Sequence, residues 1–108
     1  MEKYIKDGNV AVLYSPGFGS GWYTWNTEYP ELLFDVTVVE YLLSEDVTMT
    51  REELERYLEE KYPGVYIGSN LDDLDIYWVP KGEEFRINEY DGSEGVVTRS
   101  KDDSWHVA

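Results

Sequence analysis

Apolar residues recur along this chain with two different periods, and the change falls near Pro63. Before it, Leu54, Tyr57, Leu58 and Tyr62 fall at helical spacing, the mark of a helix with one buried stripe. Thr50-Arg-Glu-Glu53 opens that helix as a capping box, in which the Thr50 hydroxyl accepts from the Glu53 amide and Glu53 reaches back. Pro63-Gly64 stops it. Upstream, Asp35 reads as the N-cap of a second helix over 36–44, with Val39, Leu42 and Leu43 on one face. The β-branched run Val36-Thr-Val-Val39 pulls toward strand instead. Residues 28–34 fit neither period.

After Pro63 the apolar residues alternate. A short strand is predicted over 65–67. Leu74, Ile76 and Trp78 then alternate with Asp73, Asp75 and Tyr77, and Phe85 and Ile87 with Arg86 and Asn88. Asp91-Gly92-Ser93 is a hairpin turn, 94–99 returns with Val96 and Val97, and a last strand holds Trp105 and Val107. Near the start, Asp7-Gly8-Asn9 is a turn signal. Residues 10–14 are apolar on both faces, as in a central strand. The expected fold is a single α+β domain over 1–108, a mainly antiparallel sheet of about five or six strands packed against one or two helices.

One stretch fits no period. Ser15-Pro-Gly-Phe-Gly-Ser-Gly-Trp-Tyr-Thr-Trp-Asn26 concentrates glycine and aromatic residues, and no Lys or Arg lies between Lys6 and Arg51. A strand followed by Gly17-Phe-Gly-Ser-Gly21 invites a phosphate-loop reading. That motif needs glycine at position 22, which is Trp, and a helix directly afterwards. Two readings remain: a Gly-rich turn whose aromatics close the core, or an exposed aromatic contact patch. The second predicts at least two of Phe18, Trp22, Tyr23 and Trp25 facing solvent or a second molecule, because a core of about a hundred residues is already crowded.

Composition narrows the chemistry. The 108 residues carry 23 acids against 9 bases, a formal net charge of −14, with ten Tyr, four Trp and three Phe. That aromatic content argues for a folded domain. The charge repels nucleic acid and anionic membranes, so neither is expected as a direct partner. No cysteine is present, which removes disulfides, thiolate nucleophiles and cysteine metal sites. The one imidazole, His106, lies in a terminal segment, and Ser20 lacks a nucleophile-elbow pattern, so no Ser–His–Asp device is expected. Asn70, Asp72, Asp73 and Asp75 lack the glycine and bidentate glutamate of a calcium loop and read as a solvated turn. The expectation is no enzyme, no cofactor and no metal. No export signal or membrane span is legible, which suits the cytoplasm.

Ser15-Pro-Gly-Phe-Gly, Trp22-Tyr-Thr-Trp25, Leu33-Phe34-Asp35, Glu60-Lys-Tyr-Pro63, Trp78-Val-Pro80 and Phe85-Arg-Ile-Asn-Glu-Tyr-Asp-Gly-Ser-Glu94 together resemble a set of small uncharacterised proteins encoded in phages and prophages. The resemblance spans most of the chain and carries no assigned activity or site residue. It implies a small accessory protein acting in the host bacterial cytoplasm, by analogy with phage proteins that block host defence systems by binding. The leading expectation is therefore a non-enzymatic acidic protein that docks on the basic surface of a host protein. The Phe18, Trp22, Tyr23, Trp25 patch would be its anchor and Glu52, Glu55 and Glu59 its charged face. The alternatives are a nucleotide-sequestering protein that stacks a base on the 15–26 segment, and an assembly subunit that buries those aromatics between copies.

Overall fold

The computed structural model describes residues 2–17, 21–43, 48–68, 70–98 and 106–107. Strand β1 (Ile5–Lys6) turns into β2 (Asn9–Tyr14) through Asp7 and Gly8, at φ 53° and 79°, the left-handed pair a tight hairpin demands. A 3-10 turn (Pro30–Leu33) leads into helix α1 (Val36–Leu43), and α2 (Arg51–Lys61) and the short α3 (Asn70–Asp73) follow. Then come β3 (Asp75–Pro80), β4 (Glu84–Tyr90), β5 (Ser93–Thr98) and β6 (His106–Val107).

The α+β class holds, but the strands do not form one sheet. They divide into two antiparallel sheets, β1-β2-β3 and β5-β4-β6. The reason lies in β2. Val10, Ala11, Val12 and Leu13 are all fully buried, so both faces of the first sheet need a cover. Ala11 and Leu13 pack with Trp22, Leu32, Val38, Val39, Leu54 and Leu58 on the helical side. Val10 and Val12 pack with Leu33, Phe34, Val79 and Phe85 on the other, with Ile87 and Val96 of the β4–β5 hairpin alongside. A hairpin that extended the first sheet would leave Val10 and Val12 open to water.

Both helices form where the pattern places them. Asp35 caps α1, its Oδ1 accepting from the Val38 amide at 3.0 Å, and burial of Val38 and Val39 overrides their strand preference. The Thr50 capping box on α2 is complete, and Leu54 and Leu58 are its buried stripe. The β4–β5 hairpin turns through Asp91 and Gly92, at φ 50° and 87°. The strand expected over 65–67 is not formed, because the backbone of Tyr66 bonds to a side chain, Asn26, in both directions: its amide donates to Oδ1 at 2.7 Å and its carbonyl accepts from Nδ2 at 3.0 Å. Phe18 and Trp105 lie outside the described residues. Among the described residues, no helix is long and apolar enough to cross a membrane.

Candidate functional site

The Gly/aromatic segment is organised from across the molecule by one carboxylate. Glu94, at the start of β5, is 3 % exposed. Its Oε1 accepts from the amide and hydroxyl of Ser15, at 3.0 and 3.3 Å. Its Oε2 accepts from the amides of Tyr23 and Thr24 and from the Thr24 hydroxyl, all within 2.9 Å. The backbones join as well, the Glu94 amide donating to Ser15 O at 2.7 Å. Gly21 is required by this close approach, since a Cβ there would collide with the Thr24 hydroxyl and crowd Trp25. The loop does hold an anion, but that anion is the chain's own.

This fixes the fate of the expected aromatic patch. Trp22 is fully buried in the core, its indole N–H donating to Leu32 O at 2.7 Å and its amide to the Ser15 hydroxyl at 3.0 Å. Its expected role as a contact residue is corrected: it is architecture. Tyr23 is half-buried, packs against both halves of the core, and has its hydroxyl pKa raised by burial. Trp25 alone among the described rings of the segment is exposed, at 45 %. Its partner is Tyr66, 53 % exposed, with ring centroids 5.7 Å apart. Buried Asn26 holds the two together by joining the Tyr66 backbone to Trp22 O.

The loop that carries Tyr66 also faces α2. Val65, Ile67 and Gly68 line a shallow groove of about 260 Å³ with Glu55 and Glu59, one helical turn apart. Glu52 and Glu59 face water, and Glu55 accepts from Arg51 Nε at 3.3 Å on the open surface. Arg51 also pairs with Asp72, and its guanidinium pKa is raised by these carboxylates against the opposing effect of desolvation. Trp25, Glu55 and Glu59, far apart in sequence, thus meet the same loop. Of the residues expected to form a solvated turn, Asn70 is instead buried at the start of α3 and donates to Gly21 O, while Asp72 faces Arg51 and Asp75 accepts from the Ile76 amide.

The opposite flank of α2 carries a second arrangement, which the sequence pattern does not single out. Asp35 is 3 % exposed, and its Oδ2 accepts from the hydroxyls of Tyr57 at 2.8 Å and Tyr62 at 2.6 Å. Lys61 Nζ stands 3.5 Å from the same oxygen and 3.1 Å from the Tyr57 hydroxyl. Burial, then the bond to Asp35, pushes the Tyr62 hydroxyl far above its usual pKa, so it stays a donor. The Lys61 ammonium is also raised, first by its bond to Tyr57 and then by the charge of Asp35, with desolvation opposing both. Glu2 and Glu31 join these groups around a cleft of about 230 Å³. The one sequence signal for this cleft is the i, i+4 pair Tyr57 and Lys61 beside the buried stripe. No protein-family model, curated protein or solved structure matches this chain.

Proposed function

We propose that this protein is a non-enzymatic, acidic binding protein that docks on a basic protein surface, through the α2 flank of Glu52, Glu55 and Glu59 and the Trp25–Tyr66 pair beside it. One observation carries the reading: a single loop, residues 65–68, joins an acidic groove to an exposed aromatic pair, on a chain of net charge −14. Charge of that sign steers encounter with a basic surface, and an exposed Trp–Tyr pair supplies the area that ion pairs at a rim do not. The phage resemblance supplies the context, an accessory protein that occupies the basic surface of a host defence protein. Burial of Trp22 leaves a nucleotide with less of a stacking platform, so the protein-binding reading is preferred.

The test is affinity capture from a bacterial host lysate at low and high salt, with wild type beside the Glu55→Lys/Glu59→Lys double variant and Trp25→Ala. A specific partner is expected at low salt, released at high salt, absent with the charge-reversed variant and depleted with Trp25→Ala. A partner that ignores both variants would overturn this assignment of the surface.

A further inference from the structure

We propose that the Asp35 cleft is a receptor for an organic cation, the alkylammonium or guanidinium head of a partner's basic side chain, in the place that Lys61 now holds. The inference deepens the reading above and rests on it for the source of the cation. Three carboxylates, Glu2, Glu31 and Asp35, line the cleft with one ammonium, Lys61, which leaves the lining with net negative charge. Two aromatic rings complete it. Lys61 Nζ lies 5.5 Å from the centroids of both Tyr57 and Tyr62, inside the range at which a cation is drawn to a ring face. The cleft is thus built around a positive charge, and the chain supplies a provisional one.

Provisional describes how Lys61 is held. Its distance of 3.5 Å from Asp35 is longer than the ~2.7–2.9 Å of a strong charge-assisted bond. Its side chain is 51 % exposed, so it can swing into water with little loss. Asp35, by contrast, does not move. Its side chain is fully buried, Oδ1 is tied to the Val38 amide, and Oδ2 takes two tyrosine hydroxyls. A guanidinium entering beside Oδ2 would find a preset acceptor, two ring faces and the Glu31 carboxylate. Preset geometry of this kind lowers the ordering cost of binding.

The test titrates the whole chain with butylguanidinium and butylammonium, and with neutral butyramide as control, following the Val38 amide and the Tyr57 and Tyr62 rings by NMR. Saturable shifts are expected for both cations and none for butyramide. Removing the resident cation with Lys61→Met should tighten binding roughly threefold, the scale of an exposed cation–π contact. Glu31→Gln, a surface change that leaves the core intact, should weaken it roughly twofold. Asp35→Asn should abolish the shifts, and the Lys61 and Glu31 variants keep the test decisive if that protein does not fold. Absence of saturable shifts with either cation, or no gain in Lys61→Met, overturns the proposal. A peptide with a central Arg or Lys should bind more tightly than spermidine; the reverse order overturns a partner's side chain as the source. The small-cation titration needs no partner, so its failure and the failure of partner capture are separate results.

Discussion

Glu94 and Asp35 are the two carboxylates buried among the described residues, each 3 % exposed, and the fold uses them in opposite ways. Glu94 takes backbone amides from Ser15, Tyr23 and Thr24, and hydroxyls from two of the same residues. Those donors cannot leave without dismantling the loop. Asp35 commits one oxygen to the α1 amide and the other to side chains of α2 and its C-cap, beside an open cleft. The part-buried Tyr57 hydroxyl and the half-exposed Lys61 ammonium can turn to other partners while the backbone stays folded. Burial alone does not separate architecture from recognition; the kind of donor around the charge does. A loop composed like a phosphate cradle is closed by its own carboxylate, while a residue that reads only as a helix cap stands in the more accessible site.

The largest expected effect probes the Glu94 side. Trp22→Ala should destabilise the protein by about 3–5 kcal/mol in urea unfolding, the usual scale for a buried Trp, because the loop loses its core anchor. A loss under about 1 kcal/mol would mean that the segment is held by Glu94 alone. Glu94→Gln comes next, at about 3 kcal/mol. The new NH₂ would point a donor at the donors of Ser15 or of Tyr23 and Thr24, leaving buried amides without an acceptor.

Asp35→Asn sharpens the contrast. Tyr57 and Lys61 can turn to water, so about 1–2 kcal/mol is expected, clearly less than for Glu94→Gln. Equal losses in the two variants would erase the distinction. Tyr62→Phe should cost about 1 kcal/mol near neutral pH and should also change the alkaline limb. In the wild type the folded state keeps the Tyr62 proton that the unfolded chain loses near pH 10.0. Stability is therefore whole below that pH and falls as the pH rises above it. Unfolding measured between pH 8 and 11, a range of about three units around the tyrosine value, should show a shallower decline in Tyr62→Phe. The smallest effect belongs to the exposed pair: Trp25→Ala should shift stability by about 0.5 kcal/mol or less, which leaves its effect on partner capture interpretable.

Much of the fold was legible because its signals are local. The Asp-Gly pairs at 7–8 and 91–92 need left-handed backbone, and both occupy hairpin turns. The Thr50 box depends on residues three apart. Residues 65–67 read as a strand in the sequence because a three-residue apolar alternation carries no record of Asn26, about forty positions upstream, which takes both backbone groups of Tyr66. The division into two sheets was equally hidden: alternation shows that β4 has an apolar face and not which surface that face must cover. At the candidate site, Trp25, Glu55 and Glu59 were legible as exposed types, whereas Tyr66 and the Asp35 cleft were not.

By itself, then, the sequence determined the helices at Asp35 and Thr50, the hairpin turns, the two-faced burial of β2, the strong negative charge and the lack of thiol chemistry, because each depends on neighbouring residues or on composition. Only the tertiary structure decided which carboxylates go inside. Twenty-three acids look alike along a chain, and a carboxylate is stable in the interior only where donors from distant segments converge on it. For Glu94 those donors lie about seventy to eighty positions away, and for Asp35 they come in part from the far end of a second helix. That convergence exists only once the sheet, the loop and the helices have packed.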